Sequence, residues 1–126
     1  MSPQPDPGAP PARHVVCEVD ELPPGARRIV QFGRRSIGVF NVAGKLYALH
    51  NGCPHKGGPL CAGKVTGTVL PTSRRDFTYG REGEILRCAY HGWEFEIATG
   101  QALADPRVRA RTYPVEVVDG TVTVLV

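Results

Sequence analysis

Two short stretches hold the side chains with chemistry to do. Cys53-Pro54-His55 and Cys88-Ala89-Tyr90-His91 each set a thiol and an imidazole on one tight turn, with one residue between them in the first and two in the second. Brought face to face, the two turns offer two sulfur and two nitrogen donors, which is a metal-ligating set. Glycines and prolines follow or intervene, at Gly57, Gly58, Pro59 and Gly92. They let the backbone fold closely around a metal centre and aim its amides at thiolate or bridging sulfur. Turns of this kind suit something larger than a single ion.

The segments around the turns must position them, and these have the character of strands. His14 to Val19 is a first strand, broken by Glu21-Leu22-Pro23-Pro24-Gly25, whose prolines cannot continue a ladder. Arg27 to Phe32 and Ser36 to Val42, split at Gly33-Arg34, are dense in β-branched and aromatic residues and form a hairpin. After the short turn Ala43-Gly44, Lys45 to His50 delivers the chain into Cys53. Val65 to Leu70 follows, and Pro71 to Gly83, polar and without a steady period, is expected to be an exposed loop with at most a short hairpin. Glu84 to Arg87 runs into Cys88, and Trp93 to Ile97 runs out to Ala98-Thr99-Gly100. Thr112 to Val118 and Thr121 to Val126 are joined by Asp119-Gly120, a pair suited to a type I′ turn. No segment of ten or more residues shows a 3.6-residue period and no long repeat is present, so the fold class is all-β.

Length and charge bound what such a site can belong to. A chain of 126 residues supports one ordinary domain, expected over residues 14–126. Met1 to Arg13 carries five prolines and little apolar bulk, and is expected to be a disordered tail. The net charge of +3 arises from fifteen basic and twelve acidic residues without a basic stripe, which argues against nucleic acid as a partner. No run of about 18 apolar residues marks a membrane helix, and the N-terminus lacks the blocks of a secretion signal, so the expected location is cytoplasmic. Four cysteines could form two disulfides, but that location and the neighbouring histidines favour ligation by two of them.

Cys53-Pro54-His55-Lys56-Gly57-Gly58-Pro59-Leu60 together with Cys88-Ala89-Tyr90-His91-Gly92-Trp93 resembles the Rieske iron-sulfur family, over roughly His14 to Val126. The resemblance implies a layered antiparallel β-sandwich with a small cluster-binding lobe made of two loops. It also implies a [2Fe-2S] cluster in which Cys53 and Cys88 hold one iron and His55 and His91 the other. Replacing two anionic thiolates with neutral imidazoles makes the cluster less negative and raises its reduction potential. The departures from the respiratory type are informative. Its second pair of loop cysteines, which form a disulfide, corresponds here to Gly58 and Tyr90, and its serine and tyrosine after the second loop to Trp93 and Phe95. With those hydroxyl donors to sulfur missing, the potential is expected in the lower part of the Rieske range of about −150 to +300 mV. The chain thus resembles the ferredoxin components of ring-hydroxylating oxygenase systems.

The remaining reactive side chains have quieter readings. Cys61 is expected to pack the lobe and Cys17 the core, with a disulfide between them discounted. His50 is expected to be structural or on the surface, His14 has no partner in sequence, and Trp93 either shields the cluster or packs beneath the lobe. The 32 residues between His55 and Cys88 exceed the spacer of compact family members, and the surplus falls in the insertion at about 71–83, where Arg74, Arg75 and Arg81 either meet a partner or only solvate. The leading functional expectation is an electron carrier without catalysis of its own, passing single electrons from a reductase to a terminal oxygenase or other redox protein, as a monomer or as a subunit of a complex. Only His14 and His50 remain for a mononuclear iron site, too few for a self-contained oxygenase. The alternatives are a small subunit of a larger oxidoreductase, such as a nitrite reductase, and a structural zinc module. Zinc sites ordinarily pair like with like, whereas each turn here mixes one cysteine with one histidine.

Overall fold

The structure is a computed structural model and describes residues 12–54, 58–70, 78–88 and 92–126. Among these the strands are β1 Arg13–Glu18, β2 Arg27–Phe32, β3 Arg35–Val42, β4 Lys45–His50, β5 Lys64–Leu70, β6 Thr78–Arg87, β7 Glu94–Glu96, β8 Thr112–Tyr113, β9 Val115–Val118 and β10 Thr121–Leu125. All pairings are antiparallel, in three sheets ordered β1-β10-β9, β2-β3-β4-β8 and β5-β6-β7. There is no α-helix among the described residues, and no helix is long and apolar enough to cross a membrane. The all-β expectation holds.

The β2-β3-β4-β8 sheet is the middle layer, and the pleat of β3 shows why. Successive side chains of a strand point to opposite faces. Ile37 and Val39 join Ala48, Val122 and Val124 in one buried core, while Phe40 joins Leu49, Leu60, Leu86 and Phe95 in another. A strand apolar on both faces must be covered on both, here by the sheet of β1, β9 and β10 on one side and by the β5-β6-β7 lobe on the other. At the tight connections the chain uses positive φ as the turn chemistry demands, at Ala43 (51°) with Gly44 (95°) and at Asp119 (51°) with Gly120 (76°).

Several expected boundaries shift. Arg13, assigned to the tail, opens β1, because Ala12 and Val126 exchange both backbone hydrogen bonds, at 3.1 and 3.0 Å. Val19 leaves the strand for a single 3-10 turn, and Pro114, which has no N–H to donate, divides Thr112 to Val118 into two strands. The largest correction concerns the expected loop 71–83: β6 already begins at Thr78, and Thr78, Tyr79 and Gly80 pair with Leu70, Val69 and Thr68. Threonine and tyrosine favour strands. The register shifts between Thr66 and Thr68, so that residues 81–84 stand opposite Gly67, and the shift erased the alternation by which a strand is recognised. Residues 71–77, with Arg74 and Arg75, lie outside the described residues, as does the tail up to residue 11.

Candidate metal centre

The first loop hangs from β4 and is fastened at its stem by Asn51. The Asn51 amide N–H donates to the Ser36 carbonyl (2.8 Å), its side-chain Nδ2 to Ser36 Oγ (3.1 Å), and its Oδ1 accepts from the Cys61 N–H (2.7 Å). Cys53 follows, 3% exposed, and its N–H donates to the Gly58 carbonyl at 2.7 Å, closing the loop on itself. The chain leaves through a 3-10 turn, Leu60–Ala62, whose Leu60 and Cys61 are buried. Arg27, at the start of β2, donates through Nη1 to the carbonyls of Cys61 (3.0 Å) and Gly63, and its guanidinium lies 5.9 Å from the centre of the Phe40 ring.

The second loop joins β6 to β7 and is closed by the Cys88 N–H to the Trp93 carbonyl (2.8 Å) and the Gly92 N–H to the Cys88 carbonyl (3.0 Å). Gly92 has φ 68°, a value glycine adopts without strain. The roots of the two loops touch. A side chain at Gly63 would stand 2.1 Å from the Arg87 carbonyl oxygen, so only glycine lets the exit of the first loop pass the residue before Cys88. Cys53 and Cys88 consequently share one core with Leu60, Leu86 and Phe95, Cys88 being 1% exposed.

None of the four cysteines is in a disulfide. Two thiols that reach one apolar core from separate loops and are in no disulfide offer the soft sulfur donors that iron-sulfur centres use. The donor set therefore fits an iron-sulfur cluster. His55 and His91, the other two expected ligands, lie outside the described residues.

The other singled-out residues fall where packing puts them. Cys61 is fully buried; its thiol donates to the Leu49 carbonyl (3.5 Å) and is pushed up to about 12 by burial. Cys17 lies in the opposite core, its thiol also raised by burial, which leaves the Cys17 to Cys61 disulfide without support. His14 stacks on Phe32 at 4.5 Å between ring centroids. His50 is half-buried, and its Nδ1 has no hydrogen-bond partner among the described residues. Trp93 packs against the lobe core with its ring 6.4 Å from that of Phe95. Arg27, Asn51 and Gly63 were missed by sequence reasoning. Arg27 acts across 34 and 36 residues of chain, and nothing local marks such a contact; the position of Asn51, two residues before Cys53, is the one signal that was available.

The model of the Rieske [2Fe-2S] domain matches residues 12–118. The chain belongs to the Rieske [2Fe-2S] family. Among curated relatives of this Rieske chain, the ferredoxin component of the 2,4-dinitrotoluene dioxygenase system of Burkholderia sp. (strain RASC) is 32% identical over 99 residues, 78% of this chain and 80% of the relative. The 4beta-methylsterol monooxygenase of Methylococcus capsulatus is 34% identical over 114 residues, and the match spans only 26% of that protein's length. Among solved structures, the Sphingomonas yanoikuyae B1 ferredoxin superposes with a TM-score of 0.68 at 29% identity, covering 91% of this chain and 99% of the other. The cofactor of the Rieske chain is a [2Fe-2S] cluster of the Rieske type, and its role is electron transfer.

Proposed function

We propose that this chain is a ferredoxin-type one-electron carrier in which Cys53 and Cys88 ligate one iron and His55 and His91 the other, taking electrons from a reductase and giving them to a terminal oxygenase or another oxidoreductase. The observation that carries the reading is the convergence of the two buried cysteines on loops whose roots meet at Gly63 and Arg87. The cluster, when bound, accepts and releases a single electron. The chain's own residues hold it: Asn51 and Arg27 fix the first loop, the Cys88 and Gly92 backbone bonds fix the second, and Leu60, Leu86 and Phe95 keep water from the thiolate side. Both relatives named as ferredoxins match this chain over most of their own length, which supports a carrier without a catalytic domain. A fixed place in a larger enzyme would call for apolar surface around the lobe. Among the side chains that the structure describes, the exposed large apolar ones are Val15, Ile29, Val117 and Val118 on the two other sheets, Val19 in the turn after β1, and Leu103 on the segment leaving β7.

Electron paramagnetic resonance of the dithionite-reduced protein, with iron and acid-labile sulfide analysis, tests the reading. The expected result is a Rieske-type signal at low average g with equal iron and sulfide. Zinc without sulfide in a colourless, silent protein would overturn it in favour of a structural module.

A further inference from the structure

Exposed charges sort to opposite ends of the middle sheet. At the ligand-loop end, cations arrive from separate segments: Arg34 and Arg35 at the β2–β3 turn beside Ser36, Lys64 at the start of β5, Arg87 before Cys88, and Arg111, whose carbonyl accepts from the His50 N–H. Lys64 and Arg87 are directly opposed across the β5–β6 ladder, an arrangement of like charges that costs stability. On its other side Arg87 is opposed by Glu94, yet no ion pair joins them among the described residues. The Arg87 guanidinium lies instead over Gly92 in the second ligand loop, where a methyl group on that glycine would be 3.2 Å from Nη2. Asp105, on the segment leaving β7, is held by Arg107 at 3.1 Å.

The far end has the opposite sign. Glu18, Asp20, Glu21 and Asp119 gather where the Val19 N–H meets the Gly120 carbonyl and where Asn41, near the end of β3, donates to the Leu22 carbonyl. Of the cations there, Arg27 is held on the Cys61 and Gly63 carbonyls, Arg28 is paired with Glu21 at 3.4 Å, and Lys45 stands at the start of β4. Among the described residues such a separation turns the ligand-loop end toward negative charge.

We infer that the ligand-loop end is a cationic docking face for a carboxylate-rich surface of a redox partner, with the Arg87 guanidinium lying over Gly92 of the second ligand loop. The inference rests on the electron-carrier reading above. Charged groups in this position act chiefly on encounter rate and partner choice.

The test is stopped-flow reduction of the oxidised protein by the hydroquinone of a flavodoxin, an acidic flavoprotein. One electron passes from the anionic hydroquinone to the cluster and leaves the neutral semiquinone. The second-order rate constant should fall as salt is raised to about 0.5 M, where the screening length is only a few ångströms. Arg34→Glu, at an exposed position of the β2–β3 turn, should lower the low-salt rate about five- to tenfold and leave the high-salt rate unchanged. Lys45→Glu, the same change of net charge at the far end, should cost less than twofold. Oxidation of the reduced protein by a basic cytochrome c should show the reverse salt dependence. Equal losses in the two variants, a salt-independent rate, or a loss from Arg34→Glu that persists at high salt would each overturn the docking face while leaving the carrier intact. Failure of the native protein to take up an electron at any salt, without a Rieske signal, would overturn the carrier reading and the docking face with it.

Discussion

Cys53 and Cys61 are eight positions apart, buried in the same core, and chemically unlike because of what their sulfurs meet. Cys61 Sγ is fixed by the Leu49 carbonyl and lies against Gly38, where a side chain would come within 2.5 Å of it. Cys53 and Cys88 instead head loops that close on their own backbones. Cys53→Ser or Cys88→Ser should therefore abolish cluster colour and sulfide content, while Cys61→Ala and Cys17→Ala retain both; a coloured Cys88→Ser protein would remove Cys88 from the ligand set. His91→Cys should lower the reduction potential and its dependence on pH near neutrality, as an imidazole gives way to a thiolate; an unchanged potential would show that His91 is not a ligand. Burial of the Cys61 thiol also sets a pH dependence. Its value rises from an ordinary 9.0 to about 12 in the fold, so below pH 9 its contribution to stability is whole. Between those values the unfolded chain gives up the proton while the folded thiol keeps it, and stability falls as pH rises. Denaturant midpoints between about pH 8 and 11 should decline less steeply in Cys61→Ala than in the native protein.

At the scale of elements, the two ligand loops are kept in register by a chain of contacts from β2 to β6: Arg27 to the Gly63 carbonyl, and Gly63 against the Arg87 carbonyl. Gly63→Ala puts a methyl group into backbone that has nowhere to move, and should cost the protein its cluster and several degrees of thermal stability. Arg27→Gln should cost about 1–2 kcal/mol and hasten cluster loss, with partial recovery in Arg27→Lys; a variant as stable as the native chain would mean that the first loop holds itself. Neither contact could be foreseen, because each joins residues far apart in sequence. What could be foreseen was whatever local chemistry dictates. β2 and β4 have the expected limits because Gly33-Arg34 and Ala43-Gly44 punctuate them, and the Asp119-Gly120 turn lies where its backbone preferences put it. β6 was cut short because its register shift removes the alternation on which recognition depends. The two cysteines stand out from spacing alone as candidates, but their burial in one core emerges only when Leu60, Leu86 and Phe95 are brought together by the β5-β6-β7 sheet.

Across the whole molecule, the middle sheet separates two cores with different obligations. One, built on Ile37, Val39, Val122 and Val124, contains neither expected ligand cysteine and is closed by the β1-β10-β9 sheet. The other contains Cys53 and Cys88 and sits beneath the loops. Groups that bind only the folded lobe stabilise that lobe, and metal removal withdraws the contribution where it was made. Backbone bonds in the lobe that depend on the loops, such as Cys53 N–H to Gly58 and Cys88 N–H to Trp93, should lose protection first. Removal of the cluster by chelation under reducing conditions, followed by amide hydrogen exchange, should show accelerated exchange across 51–63 and 87–97. Protection in β1, β9 and β10 should stay within a few-fold of the native protein, because their partners and core lie on the other side of the middle sheet. Uniform loss of protection through all the strands would mean that the two cores unfold as one unit and that the cluster stabilises the entire domain.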